Sequence, residues 1–396
     1  MNLSNEFKNE FSLEQKSIIA LISDFALSKG INAYLIGGVV RDLILKRPVF
    51  DLDIVVETDA ILFAKQLVTF TKGEIICVQE NLRTAKVLFE NGVEVDFSST
   101  RKENYISSGQ LPVLSEFGCP LKEDVKRRDF TVNTLALKLG DFELIDYLNG
   151  LEDIKNKKLR VLHDNSFIDD PSRLVRMLKF AVRFDFEIEE HTKKLMEDYL
   201  KNIDNSMPLE RIKGELKQLF SLNSQKAYDL ILETGIYKLV SSSPEQFSQE
   251  RLDYCLERGF VSSSFSWFVP FACLTVKFSW DRLNITAQER KTLSDFESLL
   301  STPFKNDEDF AIYERYSKLS QDAVVCEYVS TGSLSARKYL ETIKNVKVLI
   351  NGDDLISLGF VPSEKFKEIF DEVLKHKLNN ELQTKEEELE FVKKFL

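Results

Sequence analysis

Through the first 28 residues apolar side chains recur at helical spacing, with Phe7, Phe11, Ile18, Ile19, Ile22 and Phe25 along one face, which predicts an amphipathic helix. The pattern then shortens. From Ala33 to about Leu139 brief apolar runs separated by turn residues predict strands at AYLIG, FDLDIVV, GEIICVQ, TAKVLFE, VEVDFS and VNTLALKL, with helices at 39–45 and 59–72. Short strands interleaved with helices make an α/β domain. After Asp146–Gly150 glycine becomes sparse and the period is helical at 171–184, 191–202, 208–221, 224–234 and on toward the C-terminus. Breaks near Ser241–Pro244, Ser301–Pro303 and Ser330–Ser333 divide this helical part. The expected fold is an α/β N-terminal head, a mixed sheet with helices, over 1–145, followed by an all-helical neck (146–222), body (223–300) and tail (301–396).

A chain of 396 residues exceeds one comfortable core, and 43% hydrophobic with 30% charged residues is an ordinary soluble composition. No apolar run approaches the length of a membrane span, and the start lacks the basic-then-apolar order of a signal peptide, so a cytoplasmic protein with no membrane partner is expected. Cys77, Cys119, Cys255, Cys273 and Cys326 are far apart and form no CxxC pair, which argues against a disulfide framework or a zinc site. Only His163, His191 and His376 are present, so an HExxH or HD-type metal centre is excluded. The net charge of -11 opposes non-specific nucleic-acid binding by the whole chain, because counterion release needs clustered Lys and Arg. Any nucleic-acid contact needs a local basic face.

The chemistry begins after the first strand. Gly37 and Gly38 let the backbone turn and approach a ligand, and the helix that starts at Val39 offers free N–H groups to an anion, with Arg41 adding a guanidinium. Alone this is weak, since glycine is the default turn residue. Asp51 and Asp53 then stand i, i+2 on a strand flanked by Val49-Phe50 and Ile54-Val55-Val56, which puts both carboxylates on one face. Paired like charges on an internal strand need a cation, and oxygen-only ligands favour Mg²⁺. A further strand carries Glu94 and Asp96 on one face, either of which supplies a third carboxylate. Three acids beside a phosphate-binding turn suit two-metal phosphoryl or nucleotidyl transfer.

These residues resemble a known family. GGxVRD followed by DxD is similar to the signature of the DNA polymerase beta-like nucleotidyltransferase superfamily. Later stretches narrow the resemblance to class II tRNA nucleotidyltransferases, the CCA-adding enzymes, and their relative bacterial poly(A) polymerase. They are Arg127–Asn133, Asp146–Gly150, Asp169–Arg173, and Glu210-Arg211 with Glu215, in order over roughly residues 30 to 220. The end of the chain, from Leu349 to Leu374, looks like the tail of the bacterial CCA-adding branch, whereas about 240–345 matches nothing recognisable.

The resemblance implies a catalytic head, a nucleotide-selecting neck and a tRNA-binding tail. It implies addition of CCA to tRNA 3′ ends from CTP and ATP without a nucleic-acid template, with Mg²⁺ as cofactor and tRNA as partner. Asp51 and Asp53 would hold metal, and Asp96 rather than Glu94 would be the third catalytic carboxylate because its distance from Arg101 suits the family pattern. Gly37, Gly38, Arg41 and Arg128 would hold phosphates, and Asp129 with Asn133 the ribose. Asp170 and Arg173 would read the base. That pairing is chemically apt: cytosine and adenine each offer an amino donor beside a ring-nitrogen acceptor, and uracil and guanine reverse the order. Arg176, Lys179 and Arg183 follow on the same helix, with lysine at 179 where the family usually has arginine, and Lys155, Lys157, Lys158 and Arg160 lie upstream as a candidate basic patch. Arg101–Tyr105 and the loop to about Glu123 resemble the family's flexible segment that helps switch from C to A addition. Enzymes adding only A or only CC, poly(A) synthesis, and a non-catalytic RNA-binding protein remain as alternatives.

Overall fold

Ser12 caps a helix that follows a break at Phe11. Its hydroxyl accepts from the Gln15 N–H while the Gln15 side chain accepts from the Ser12 N–H, a capping box at the start of α1 (Leu13–Ser28). The computed structural model describes residues 10–105, 109, 112–204, 208–302, 304 and 306–396. Phe7, part of the loop after Tyr105, and Pro303 lie outside them. The chain forms two compact units, Met1–Glu215 and Leu216–Leu396. The first contains the expected head and nearly all of the expected neck.

Its centre is a seven-stranded mixed sheet. The elements in chain order are β1 (Ala33–Ile36), α2 (Gly38–Ile44), β2 (Leu52–Val56), α3 (Ala60–Phe70), β3 (Gly73–Gln79), β4 (Thr84–Phe89) and β5 (Glu94–Ser99). A small hairpin of β6 (Arg101–Asn104) and β7 (Val113–Phe117) follows, then α4 (Leu121–Asp124), β8 (Ala136–Lys138) and β9 (Leu144–Ile145). The sheet order is β3-β4-β5-β2-β1-β8-β9, with β2 and β5 parallel and the other neighbours antiparallel. Leu35, Ile54, Val55, Val95 and Phe97 are fully buried, which makes β2 an internal strand. Helices α1 and α3 cover one face through an aromatic chain, Phe25 to Phe63 at 5.2 Å and Phe63 to Phe97 at 5.6 Å between ring centroids.

Two expectations change here. The run from Val132 to Leu139 was expected as one strand, yet Thr131–Asn133 is a 3-10 turn and only Ala136–Lys138 joins the sheet. The turn is fixed by polar groups that apolar periodicity does not weigh: the Thr131 hydroxyl donates to Asp153 at 2.7 Å, and Asn133 donates to Asp129. Phe50 was read as flanking an internal strand, but β2 begins at Leu52 and Phe50 is 79% exposed.

The rest of the first unit is helical, as expected, apart from one two-stranded ladder. After α5 (Gly150–Lys155) come β10 (Lys158–Leu159), α6 (Ser166–Asp169), α7 (Ser172–Phe184), β11 (Glu187–Ile188), which pairs with β10, then α8 (Glu190–Lys201) and α9 (Glu210–Phe220). Asp146 fixes the entry to α5 by accepting from the N–H groups of Leu148, Gly150 and Leu151 at 2.9–3.3 Å. A Cβ at Gly150 would lie 2.2 Å from the Thr131 carbonyl oxygen, so only glycine fits.

Among the described residues the second unit is helical: α10 (Ser224–Thr234), α11 (Gln249–Glu257), α12 (Phe268–Thr275), α13 (Ala287–Ser301), α14 (Asp309–Tyr316), α15 (Gln321–Thr331), α16 (Leu334–Glu341), α17 (Gly352–Ser357), α18 (Lys365–Leu378) and α19 (Lys385–Val392). Every residue of α12 is buried, as is α15 from Ala323 to Ser330. No described helix is long and apolar enough to cross a membrane.

Candidate active site

The turn between β1 and α2 places backbone at the mouth of a cleft. Gly37 has φ 71° and ψ -123°, which a side chain would strain, and a Cβ there would stand 3.0 Å from Arg128 Nη1. Gly38 has an ordinary φ and its nearest neighbour is Arg41 Nη2 at 3.5 Å. Arg41 itself turns inward. It is 4% exposed, donates from Nε to Asp42 at 2.8 Å and from Nη1 to Asn133 at 2.6 Å, and stacks 4.4 Å from the Phe184 ring.

A row of charged residues crosses three strands. Asp53 on β2 is the register partner of Asp96 on β5, and Asp96 is the partner of Lys86 on β4. Lys86 Nζ lies 3.0 Å from Asp96 and 3.4 Å from Glu94. Asp53 and Asp96 line a cleft of about 380 Å³ together with Gly37, Gly38, Arg101 and Arg128. A second hollow of about 130 Å³ adjoins it at Gly38 and Asp53, lined also by Asp42, Phe50, Asp51 and Arg183. Asp51, just before β2, thus faces the second space, and Glu94 lines neither.

Partial removal from water, then the neighbouring charge of Asp96, pushes the Asp53 carboxyl up to about 6. Arg128 and Lys86 pull the other way, and Asp51 adds to the rise. The carboxylate opens onto the cleft, and solvent there tempers the shift. Among the described residues no three His, Cys, Asp or Glu side chains converge as a preformed metal centre. The donor set nevertheless fits a hard divalent cation, since its members are carboxylates whose mutual repulsion a cation relieves.

The basic wall rests on a carboxylate that sequence reading missed. Asp124 is fully buried and accepts from Arg127 Nε at 2.9 Å, Arg128 Nη2 at 3.0 Å and the Arg101 N–H at 3.0 Å. Burial alone would raise its carboxyl, but Arg128 and Arg127 hold it below the ordinary carboxylate value. Among the described residues Arg128 Nε is buried with no hydrogen-bond partner. The signal was available: Asp124 stands three and four residues before the two arginines.

Behind the cleft, Asn133 donates to Asp129 at 2.8 Å, and the other Asp129 oxygen accepts from Arg176 at 2.5 and 2.9 Å. Arg176 and Lys179 both reach Glu215, at 3.1 and 2.5 Å. Burial opposes the Asp129 carboxylate, yet Arg176 and Asn133 hold its carboxyl below the ordinary value. Asp129, Asn133, Arg176 and Lys179 therefore form one continuous network with Arg41.

The expected base-reading pair is buried and held from several sides. Asp170 accepts from the Ser172 N–H and hydroxyl at 3.1 and 2.6 Å, and from Arg211 at 2.6 Å. Arg173 donates to Ser166 Oγ at 2.7 Å, the Arg127 carbonyl at 3.0 Å and the Tyr105 hydroxyl at 3.3 Å. The two approach each other only to 4.0 Å, because Asp170 precedes α7 instead of lying on it. Upstream, Lys158 is paired with Glu187 and Arg160 with Asp153 and Glu189, while Lys155 and Lys157 are exposed.

Residues 33–160 match the family model described as the poly A polymerase head domain. An A-adding tRNA nucleotidyltransferase of Geobacter sulfurreducens is 30% identical over 90% of this chain, which spans 44% of that protein. Another, of Halalkalibacterium halodurans, is 28% identical over all of this chain and 96% of its own. The Thermotoga maritima CCA-adding enzyme solved with tRNA superposes with a TM-score of 0.78 at 25% identity, covering 100% of this chain and 98% of that one. Residues 33–160 thus belong to the poly A polymerase head-domain family, and the whole chain is similar to A-adding and CCA-adding enzymes. Nucleotidyltransferases of this kind use a divalent metal.

Proposed function

We propose that the chain is a tRNA nucleotidyltransferase that builds the CCA end from CTP and ATP without a nucleic-acid template. One observation carries this: Asp53 and Asp96 face each other across β2 and β5 in a cleft whose other walls are Gly37, Gly38 and Arg128. The tRNA 3′-hydroxyl forms a bond to the α-phosphorus as the bond to pyrophosphate breaks. Arg128, braced by Asp124, and the Gly37-Gly38 backbone bind the triphosphate. Asp51, Asp53 and Asp96 would hold Mg²⁺, which lowers the pKa of an attacking hydroxyl and offsets phosphate charge when bound. Asp129 and Asn133 bind the ribose, and Asp170 with Arg173 orients the base, with Arg211 and Ser166 fixing their positions. On this reading the protein works in the cytoplasm. Asp53→Ala should slow Mg²⁺-dependent pyrophosphate release from CTP with tRNA by at least about a hundredfold; an undiminished rate refutes the metal assignment.

A second reading, addition of the terminal A alone, is favoured by the names of the two relatives above, both A-adding. tRNAs lacking CCA, ending in its first C, or ending in CC, each offered CTP and ATP separately, separate the two. Extension of the first two by CTP together with extension of the CC-ended tRNA by ATP supports full addition. Extension of only the CC-ended tRNA by ATP supports the narrower enzyme.

A further inference from the structure

The loop between α2 and β2 exposes an aromatic ring beside the carboxylates. Phe50 is 79% exposed although its neighbour Val49 is buried and the Val49 carbonyl accepts from Gln15 Nε2 at 3.0 Å. The ring is therefore held outward by a fixed segment. It lines the smaller hollow, together with Asp51, Asp53 and Arg183.

The hollow carries charge of both signs, with Arg41 and Arg183 against Asp42, Asp51 and Asp53. Three guanidinium groups surround the Phe184 ring: Arg41 at 4.4 Å, Arg47 at 4.9 Å and Arg183 at 5.0 Å from its centroid. Asp42 answers two of them, Arg41 through one carboxylate oxygen and Arg183 through the other at 3.3 Å. Among the described residues Arg47 has no carboxylate partner. Phe184 is buried and Phe50 is exposed, so a base would meet Phe50 and a phosphate the guanidinium groups of Arg47 and Arg183, the combination that single-stranded nucleic acid uses.

In-line transfer decides which strand this is. The larger cleft carries Arg101, Arg127 and Arg128, and so suits the triphosphate and its leaving pyrophosphate. The attacking hydroxyl must approach the α-phosphorus from the opposite side, and the smaller hollow meets the cleft at Gly38 and Asp53. A hollow of about 130 Å³ accepts a ribose but not a whole nucleotide, which leaves the base outside, against Phe50.

We propose that the 3′-terminal nucleotide of the acceptor RNA seats here, its base stacked on Phe50 and its last phosphate held by Arg47 and Arg183. This rests on the nucleotidyl-transfer reading above. The test uses a short CC-ended acceptor hairpin and a copy whose last nucleotide is abasic, with the full-length protein. Phe50→Ala should raise the RNA KM and the RNA Kd measured without nucleotide by about tenfold, within the range of one lost base stack. The KM for ATP stays unchanged and Phe50→Trp restores RNA binding. The abasic RNA should weaken wild type by a similar factor and add nothing to Phe50→Ala, and Arg47→Gln should reduce the salt slope of RNA binding by about one. An RNA Kd indifferent to Phe50→Ala, or abasic and Phe50→Ala losses that simply multiply, overturns the proposal while leaving transfer intact. Phe50-dependent RNA binding without any nucleotide transfer overturns the transfer reading and leaves the RNA seat standing.

Discussion

At the residue scale the two adjacent glycines do different work. Gly37→Ala forces a side chain into a left-handed backbone and against Arg128 Nη1, so it should lower stability by about 1–3 kcal/mol and weaken nucleotide binding together. Gly38→Ala meets no close contact in the free protein and should keep or raise Tm, since alanine favours a helix more than glycine does. Its nucleotide affinity should nonetheless fall if backbone approaches the triphosphate there; unchanged affinity by titration removes Gly38 from the site. Asp53 adds a pH signature. Its folded carboxyl titrates above the ordinary 3.8, so between that value and about 6 the native state holds more protons than the unfolded one, and metal-free stability falls as pH rises. A divalent ion takes the ionised form, so thermal stabilisation by Mn²⁺ should be larger near pH 7.5 than near about pH 5. Equal shifts at both would place the ion elsewhere. The sequence reading placed Asp51 and Asp53 together on one strand, yet β2 begins at Leu52 and leaves Asp51 in the preceding loop, and Lys86 beside Asp96 was not legible because cross-strand register is set by the fold.

At the scale of elements the strongly periodic segments were read correctly. GEIICVQ coincides with β3, and the helices expected at 171–184 and 224–234 appear as Ser172–Phe184 and Ser224–Thr234. The hairpin of β6 and β7 was read only as a loop, since its first strand is Arg101–Asn104, all polar, and owes its existence to pairing and to Asp124 behind it. The same blindness explains the 3-10 turn at Thr131–Asn133. That turn leans on α5, where a Cβ at Gly150 would overlap the Thr131 carbonyl. Gly150→Ala must therefore push α5 off the segment that carries Asp129 and Asn133. It should cost about 1–3 kcal/mol in denaturant unfolding and also weaken nucleotide binding. A variant with unaltered midpoint and affinity would show that α5 does not brace the site.

For the whole molecule, all the residues proposed to hold nucleotide and metal lie within Met1–Glu215. Apart from the tail-like stretch Leu349–Leu374, motifs quoted from the sequence ended near residue 220, and the helical remainder carried no legible chemistry because helix periodicity reports only which face is buried. The net charge of -11 sharpens what RNA must find, since attraction comes from local clusters such as the guanidinium groups around Phe184. Hydrogen exchange should then separate the two ligands. CTP with Mg²⁺ binds a preformed cleft and should protect backbone around Gly37–Arg41, Asp96–Arg101 and Arg127–Asn133, with no change from Leu216 onward. An acceptor tRNA should add protection at 46–51, because the Phe50 loop receives its end, and in 301–396 if that region binds tRNA as the family resemblance implies. Nucleotide-induced protection in the second unit would mean that the site is not confined to the first. Absence of tRNA protection beyond Glu215 would mean that the second unit does not bind tRNA.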